Sequence, residues 1–149
     1  MTSITLRFLA EPAAVNFGGK VGGGTVMKWI DDAGYACATR WAKGHCVTVS
    51  VGSIQFLRSI MAGDLVEVEA RLAYTGRTSM NISVELRSGD MKTGQMEPVT
   101  ECLAVFAALD ANGQTVAVQA WLPETPGDIA LAQRVKAHLN ADRARHAGA

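Results

Sequence analysis

Two adjacent carboxylates, Asp31 and Asp32, lie inside a long apolar stretch of this 149-residue chain. Carboxylates are almost never buried unless they are paired or functional, so the pair is unusual in such surroundings. Neighbouring side chains on a helix point about 100° apart, and we therefore expect one carboxylate to face a site and the other to face solvent or a cap. A carboxylate in a partly apolar site can take a proton from a reacting group, which is the chemistry of a general base.

A glycine-rich loop precedes the carboxylates and leads into the segment that must position them. Gly22, Gly23 and Gly24 allow a ligand to approach the main chain closely. After the loop, apolar residues recur at intervals of three and four, at Val26, Trp29, Ile30, Ala33 and Cys37. That spacing predicts one face of a helix. The opposite side is largely apolar too, which predicts a core helix that ends near Lys43 and Gly44.

Alternating apolar and polar residues predict the strands that would cover this helix. They fall at residues 4–8, from 45 to 57 with a bulge expected at Gly52, at 65–74, 80–87 and 99–109 and, as a shorter sixth strand, at 115–121. Residues 89–98 are expected to form a polar loop and 110–113 a hairpin turn. Asp128 is expected to cap a terminal helix whose tail frays from Arg143. This order predicts an α+β fold, in which a curved antiparallel sheet of five to six strands wraps a long central helix and a C-terminal helix follows.

Composition limits the classes of protein that the chain can belong to. A chain of 149 residues that is 48% hydrophobic is long enough for one domain with a real core. Its 14 basic and 14 acidic residues balance, so nucleic acid is not expected as a partner. No apolar run approaches the roughly 20 residues of a membrane span, and no secretory signal is evident. Three widely spaced cysteines and three histidines without metal-ligand spacing predict a cytoplasmic protein with no metal and no cofactor.

The glycine loop and the first carboxylate form part of a longer pattern. It reads Asn16-x-x-Gly19, then Gly23-Gly24-x-x-Met27-x-x-x-Asp31-x-x-Gly34. Four later blocks follow in order: Val47-Thr-Val, Phe56-Leu-Arg58, Ala62-Gly-Asp64 and Thr75-Gly-Arg-Thr-Ser79. Together these residues resemble the hotdog-fold acyl-CoA thioesterases of the cytosolic acyl-CoA hydrolase type, over roughly residues 4–122. The resemblance implies a hotdog thioesterase domain at 1–122 and a C-terminal helix and tail at 123–149.

The resemblance also implies roles for the residues of the motif. Asp31 would be the general base or the nucleophile in thioester hydrolysis, and Asn16 of the partner subunit would orient the water or the substrate carbonyl. Gly23 and Gly24 would offer free N–H groups to the developing oxyanion at the positive end of a helix. The plain readings are a solvent-facing aspartate favoured by the helix dipole and an ordinary turn asparagine.

Coenzyme A carries phosphates, and arginines beside glycines in loops are suited to hold them. Arg77 meets this description and Arg58 is the second candidate, with hydroxyl contacts from Thr78 and Ser79. A solvated arginine at the end of a strand is the competing reading. The implied partners are acyl-CoA and further copies of the chain, as a homodimer or as a dimer of dimers or trimer of dimers.

Two departures from the family pattern keep other functions open. Ala14 stands where the family usually has an aspartate, and Gly22 stands where it often has an aromatic residue or histidine. A non-catalytic acyl-CoA-binding hotdog protein is compatible with the first departure. A hotdog hydratase or dehydratase would normally need a histidine near the helix, and residues 1–44 contain none. A Ser-His-Asp hydrolase is disfavoured, because the chain has no Gly-x-Ser-x-Gly motif.

Overall fold

An antiparallel sheet curves around a long helix in this computed structural model, which describes residues 2–16, 18–52 and 54–147. The elements in chain order are β1 (Ser3–Leu9), α1 (Gly23–Ala42), β2 (Cys46–Val51), β3 (Leu65–Thr75), β4 (Ser79–Gly89), β5 (Met96–Ala108) and α2 (Pro126–Ala147). The five strands lie in the order β1-β3-β4-β5-β2. The predicted α+β arrangement is therefore confirmed, with five strands in the described part of the chain.

The core lies between α1 and the inner face of the sheet. Helix α1 contacts all five strands, which is why the sheet curves around it. The face predicted from the spacing is buried, and Val26, Ile30 and Cys37 are at most 3% exposed. Every second residue of the central strands points at this face, as the period of two requires. These inward residues include Val66, Val68, Ala70, Leu72, Met80, Ile82, Val84, Leu86, Ala104 and Phe106.

The predicted sixth strand is wrong. Residues 115–121 form an extended segment with a single bridge, between Leu109 and Thr115. Strand β5 is already paired with β4 on one side and β2 on the other, so a returning strand has no free edge to join. The segment crosses the end of the sheet instead, where Val118 and Trp121 pack against the core. The apolar and polar alternation was real, but it reflects core contact without strand pairing.

Strand β2 is shorter than predicted, and its break in register lies earlier than the predicted bulge at Gly52. It ends at Val51, and the register shift against β5 lies between Thr48 and Ser50 rather than at Gly52. The chain then leaves the sheet, keeping a 2.8 Å hydrogen bond from the Gly52 N–H to the Leu103 carbonyl. Because β2 is an edge strand, its alternating valines are not buried in one chain, and Val49 is 60% exposed. Edge strands of this kind are commonly covered by another chain.

Several predicted element ends shift by a few residues. Helix α1 ends with Lys43 in the left-handed conformation, at φ 55°, in the capping position expected for Gly44. The loop predicted at 89–98 is shorter, because β4 continues to Gly89 and β5 begins at Met96. No helix in the described ranges has the length and hydropathy to cross a membrane.

Helix α2 packs on the outer face of the sheet, opposite α1. Leu131 and Val135 are buried there against Ala73, with Leu103 beside them. The cap differs from the prediction, because the Thr125 hydroxyl accepts the Asp128 N–H at 3.1 Å. The Asp128 carboxylate instead accepts a hydrogen bond from Arg71 of β3 at 3.2 Å. The helix extends to Ala147, beyond Arg143, where the tail was expected to begin to fray.

Gly34 permits a close approach between α1 and Phe106 of the sheet, and we expect Gly34→Ala to destabilise the protein. A Cβ at this position would lie 2.8 and 2.9 Å from two ring carbons of Phe106, which is fully buried. Overpacking of this kind typically costs about 1–3 kcal/mol. Urea unfolding at fixed protein concentration measures the change. Gly24→Ala on the same helix is the control, because nothing lies within 4 Å of its Cβ position. Equal stability of the two variants would contradict the packing argument.

Candidate active site

The two carboxylates of α1 have different surroundings, as expected for neighbours on a helix. The Asp31 Oδ1 accepts a 2.7 Å hydrogen bond from the hydroxyl of Thr48, and Asp31 is half-buried. Asp32 is exposed and forms an ion pair of 2.9 Å with Lys28, one turn earlier. An exposed pair at this spacing contributes only a few tenths of a kcal/mol to the helix, roughly 0.3–0.5. Asp31 is therefore the carboxylate with a defined orientation towards β2.

Thr48 was missed by the sequence analysis as a site residue. It lies in the Val47-Thr-Val block, where it reads as an ordinary outward residue of a strand. The bond to Asp31 joins residues 17 positions apart, from the middle of a helix to an edge strand, and no local pattern reveals such a contact. The only available signal was the position of the block within the family resemblance.

A shallow cavity of about 190 Å³ lies at the start of α1. Asn16, Lys20, Gly22, Gly23 and Arg58 contribute its polar lining, and Phe56 is among its apolar residues. The structure therefore brings together three of the candidate site residues, Asn16, Gly23 and Arg58. Gly24 lies one residue further into the helix and does not line the cavity.

Asn16 shapes the loop through its carbonyl oxygen. Its Oδ1 accepts the N–H of Gly18 at 3.0 Å and, more weakly, that of Lys20 at 3.4 Å. Asn16 therefore acts as an ordinary turn asparagine, one of the two roles expected from the sequence. The side-chain NH₂ group makes no hydrogen bond within the described part of the chain. That group is consequently available to donate to an oxygen atom in the cavity.

The first turn of α1 presents unpaired backbone donors. Gly22 is the N-cap and has no side chain that could bond to them, while its carbonyl accepts from Thr25 and Val26. The N–H groups of Gly23 and Gly24 have no acceptor among the residues that the structure describes. The first N–H groups of a helix carry partial positive charge, so this end of α1 can bind an anionic oxygen.

The candidate residues divide into two groups that one chain does not bring together. Asp31 is eight positions into α1 from Gly23, which corresponds to about 12 Å along the helix axis. The cavity with Asn16 thus lies at one end of the helix, and Asp31 with Thr48 lies near its middle. A single chain does not place the asparagine amide against the carboxylate.

The two arginines are also far apart. Arg58 lines the cavity, and its Nη1 lies 2.7 Å from an Oε2 of Glu97. Arg77 and Thr78 lie in the turn between β3 and β4 and Ser79 begins β4, at the far end of strands that each span 11 residues. At about 3.3 Å per residue, the strands separate their two ends by roughly 30 Å. The exposed Arg77 side chain forms no ion pair with the residues described.

Other titratable groups belong to the framework. Burial raises the pKa of the Cys37 and Cys102 thiols to about 11, so these cysteines are small apolar residues and not nucleophiles. On the outer face of the sheet, hydrogen bonds from Arg7 and Arg87 lower the pKa of Glu67. No group of histidine, cysteine and carboxylate side chains in the described ranges has the arrangement of a metal site.

The chain belongs to the thioesterase superfamily, whose family description matches residues 18–95. It is 37% identical over 114 residues to an uncharacterized acyl-CoA thioester hydrolase of Buchnera aphidicola, covering 74% of this chain and 84% of the relative. It is 36% identical over 114 residues to the acyl-CoA thioester hydrolase YciA of Escherichia coli, covering 74% and 86%. A crystal structure of an apo-hexameric acyl-CoA thioesterase superposes with a TM-score of 0.91 at 30% identity, covering 97% of this chain and 93% of that one. The expected hotdog fold is confirmed.

Three matching structures are variants of an acyl-CoA hydrolase from Staphylococcus aureus. In them an asparagine, an aspartate or a threonine is replaced by alanine. Each is 25% identical to this chain and covers 98% of it and 87–90% of the hydrolase, with TM-scores of 0.90, 0.88 and 0.87. In that hydrolase the replaced aspartate lies 15 positions after the replaced asparagine, and the replaced threonine lies 17 positions after the aspartate. Asn16, Asp31 and Thr48 have the same two separations. Thr48 thus has the same separation from Asp31 as the replaced threonine has from the replaced aspartate in that hydrolase.

Proposed function

We propose that this protein is an acyl-CoA thioesterase that hydrolyses acyl-CoA to a free acid and coenzyme A, with Asp31 at the centre of the reaction. The observation that carries the proposal is the oriented carboxylate: Asp31 is held by Thr48 on an otherwise core-forming helix of a thioesterase-superfamily chain. The names of the relatives support the reaction class. A cytoplasmic location stays a prediction, in keeping with three free, buried cysteines.

Asp31 acts as general base in the simpler of two pathways. The Thr48 hydroxyl occupies Oδ1, which leaves Oδ2 to take a proton from a water molecule that attacks the thioester carbonyl. In the second pathway Oδ2 itself attacks the carbonyl, expels the CoA thiolate and forms an anhydride that water then hydrolyses. Thr48 serves both pathways, because it fixes the orientation of the carboxylate.

Asn16 and the start of α1 stabilise the oxygen on which negative charge develops. The free NH₂ group of Asn16 donates to the thioester carbonyl or orients the water, and the N–H groups of Gly23 and Gly24 supply further donors. Removing one such donor typically costs about 10²–10³-fold in kcat. The turn role of Asn16 is compatible with this function, since its carbonyl oxygen shapes the loop while its amide nitrogen stays available.

A second copy of the chain completes the site in this proposal. With about 12 Å between Asp31 and the start of its own helix, the nearest suitable Asn16 is that of a partner whose α1 runs antiparallel. The exposed valines of the β2 edge give such a partner an apolar surface to cover. Among the matching structures, acyl-CoA thioesterases described as hexameric support assembly, and a trimer of such dimers is the arrangement we propose.

Arg77 holds a phosphate of coenzyme A in this proposal, with Thr78 and Ser79 as neighbouring contacts. Because roughly 30 Å of strand separates Arg58 from Arg77 within one chain, Arg58 contacts the same coenzyme A only from another subunit. Arg77→Ala should raise KM for acyl-CoA more than it lowers kcat, because a phosphate contact stabilises the ground state and the transition state almost equally. Steady-state kinetics compare acyl-CoA with a short acyl thioester that lacks the nucleotide. Arg134→Ala is the control, since Arg134 lies on α2 and pairs with Glu101. An equal rise in KM for both substrates would show that Arg77 does not bind phosphate.

The thioesterase reaction is tested with the purified protein and a panel of acyl-CoA esters of different chain lengths. A thiol-reactive dye measures release of coenzyme A. Thiol release that requires the protein supports the proposal. Hydration of an enoyl-CoA without thiol release would identify a hydratase, and binding of acyl-CoA without turnover would identify a non-catalytic binding protein.

The proposed division of the chain places the thioesterase domain at residues 1–122 and the C-terminal helix and tail at 123–149. The packing of α2 argues that the second part supports the first. Leu131 and Val135 cover Ala73 on the outer face of the sheet, and Arg134 pairs with Glu101 of β5. All of these contacts lie on the face opposite α1, so the described side chains of α2, up to residue 141, contribute no group to the candidate site within one chain.

A further inference from the structure

Tyr35 lies one helical turn beyond Asp31 on the uncovered side of α1. Its side chain is 40% exposed, as is that of Met27, one turn before Asp31. The Tyr35 hydroxyl makes no hydrogen bond with the described residues. The remaining large apolar residues of α1 pack into or against the core. Much of the Tyr35 ring therefore stays uncovered within one chain, one helical turn from the proposed catalytic carboxylate.

Helix geometry directs this ring towards Asp31. Residues four apart lie on the same face with about 5–6 Å between their Cβ atoms. Side chains on a helix also lean towards its N-terminus, so a residue covers the surface over the preceding turn. The Tyr35 ring therefore covers the surface beside Asp31, on the C-terminal side of the carboxylate.

The polarity of the candidate site assigns this surface to the acyl group. The cavity at the start of α1 has Lys20, Arg58 and the amide of Asn16 in its lining, which suits the polar handle of the substrate. The acyl chain is apolar and is attached to the same carbonyl carbon as the sulfur. It requires an apolar surface within one turn of Asp31, and the Tyr35 ring provides one.

We infer that Tyr35 is a specificity-determining residue whose ring forms the platform for the acyl chain next to the thioester carbonyl. This inference rests on the proposed thioesterase function. If Tyr35 has this role, the preferred substrates carry acyl groups long enough to extend from the carbonyl across one helical turn. Acetyl-CoA has only a methyl group to place against the ring, whereas the chain of hexanoyl-CoA is long enough to lie across it.

The test compares kcat/KM for hexanoyl-CoA and acetyl-CoA in the wild type, Tyr35→Ala and Tyr35→Phe. The Tyr35→Ala ratio of hexanoyl to acetyl activity should fall about tenfold or more, the scale on which apolar substrate contacts discriminate. Tyr35→Phe keeps the ring and should keep the ratio within about twofold. Leu122→Ala is the matched control, because it removes an apolar side chain that is 76% exposed elsewhere on the surface.

Each outcome separates this inference from the proposed function. An unchanged or increased ratio in Tyr35→Ala, with a wild type that hydrolyses both esters, overturns the platform and leaves the thioesterase intact. Light scattering reports the oligomeric state of each variant. Loss of assembly in Tyr35→Ala, together with loss of activity towards both esters, would mean that the ring is an interface residue, which also overturns the inference. A wild type that releases no thiol from any acyl-CoA would overturn the proposed function itself.

Discussion

Asp31→Ala is expected to lose about 10²–10⁴-fold in kcat for acyl-CoA hydrolysis, the usual cost of removing a general base. The fold should persist, because Asp31 is half-buried and is not a member of the core cluster. Asp31→Asn is the sharper variant. It keeps an oxygen that can accept the Thr48 hydroxyl and removes only the ability to take a proton or to attack the carbonyl.

Asp32→Ala is the matched control for this measurement. It removes a carboxylate from the next position of the same helix, and that carboxylate is exposed and paired with Lys28. We expect Asp32→Ala to keep most of its activity. Circular dichroism and light scattering verify that each variant is folded and assembled. An Asp31→Asn protein with most of its turnover would show that another group activates the nucleophile.

Mixed dimers of Asn16→Ala and Asp31→Ala should recover activity that neither variant has alone. If Asn16 of one subunit acts with Asp31 of the other, a heterodimer contains one intact pair and one doubly altered pair. Random refolding of an equal mixture should then restore about one quarter of the wild-type sites. Thiol release is measured after the two proteins are unfolded together and refolded, and heterodimers are counted by native mass spectrometry.

A double variant carrying both substitutions provides the complementary control. Refolded with an equal amount of wild type, it leaves about one quarter of the sites active if the residues act across subunits. About one half remains active if they act within one subunit. Recovery of no activity in the first mixture, with heterodimers present, would place both residues in the same subunit.

The helix and the central strands could be predicted because their signals are local. Val26, Ile30 and Cys37 repeat with the period of a helix, and Met80, Ile82 and Val84 repeat with the period of a strand; each set faces the core. Residues 115–121 were wrongly predicted to form a strand, because an alternating pattern shows which residues are buried but not whether a strand edge is free to pair. The length of β2 was overestimated for a related reason, since Phe56 and Leu57 are apolar but exposed.

The candidate site could be predicted only in part. The glycine loop, Asn16 and Asp31 belong to one compact motif, so their types and spacing were visible. Thr48 depends on a contact between a helix and an edge strand, which no spacing encodes. The separation of Asn16 from Asp31, and of Arg58 from Arg77, depends on where the strands place their ends. The cap at Lys43 shows the same limit, because glycine stood next to it and was the expected choice.

Because the two groups of candidate residues are far apart in one chain, the proposed mechanism makes specific activity depend on protein concentration. An isolated chain holds a carboxylate without its amide and an amide without its carboxylate, so a newly made monomer is inert in the proposed mechanism. By mass action, specific activity then follows the fraction of chains that are assembled and falls on dilution below the dissociation constant of the dimer. A substitution on the β2 edge, remote from any reacting atom, would act on turnover in the same way as dilution does.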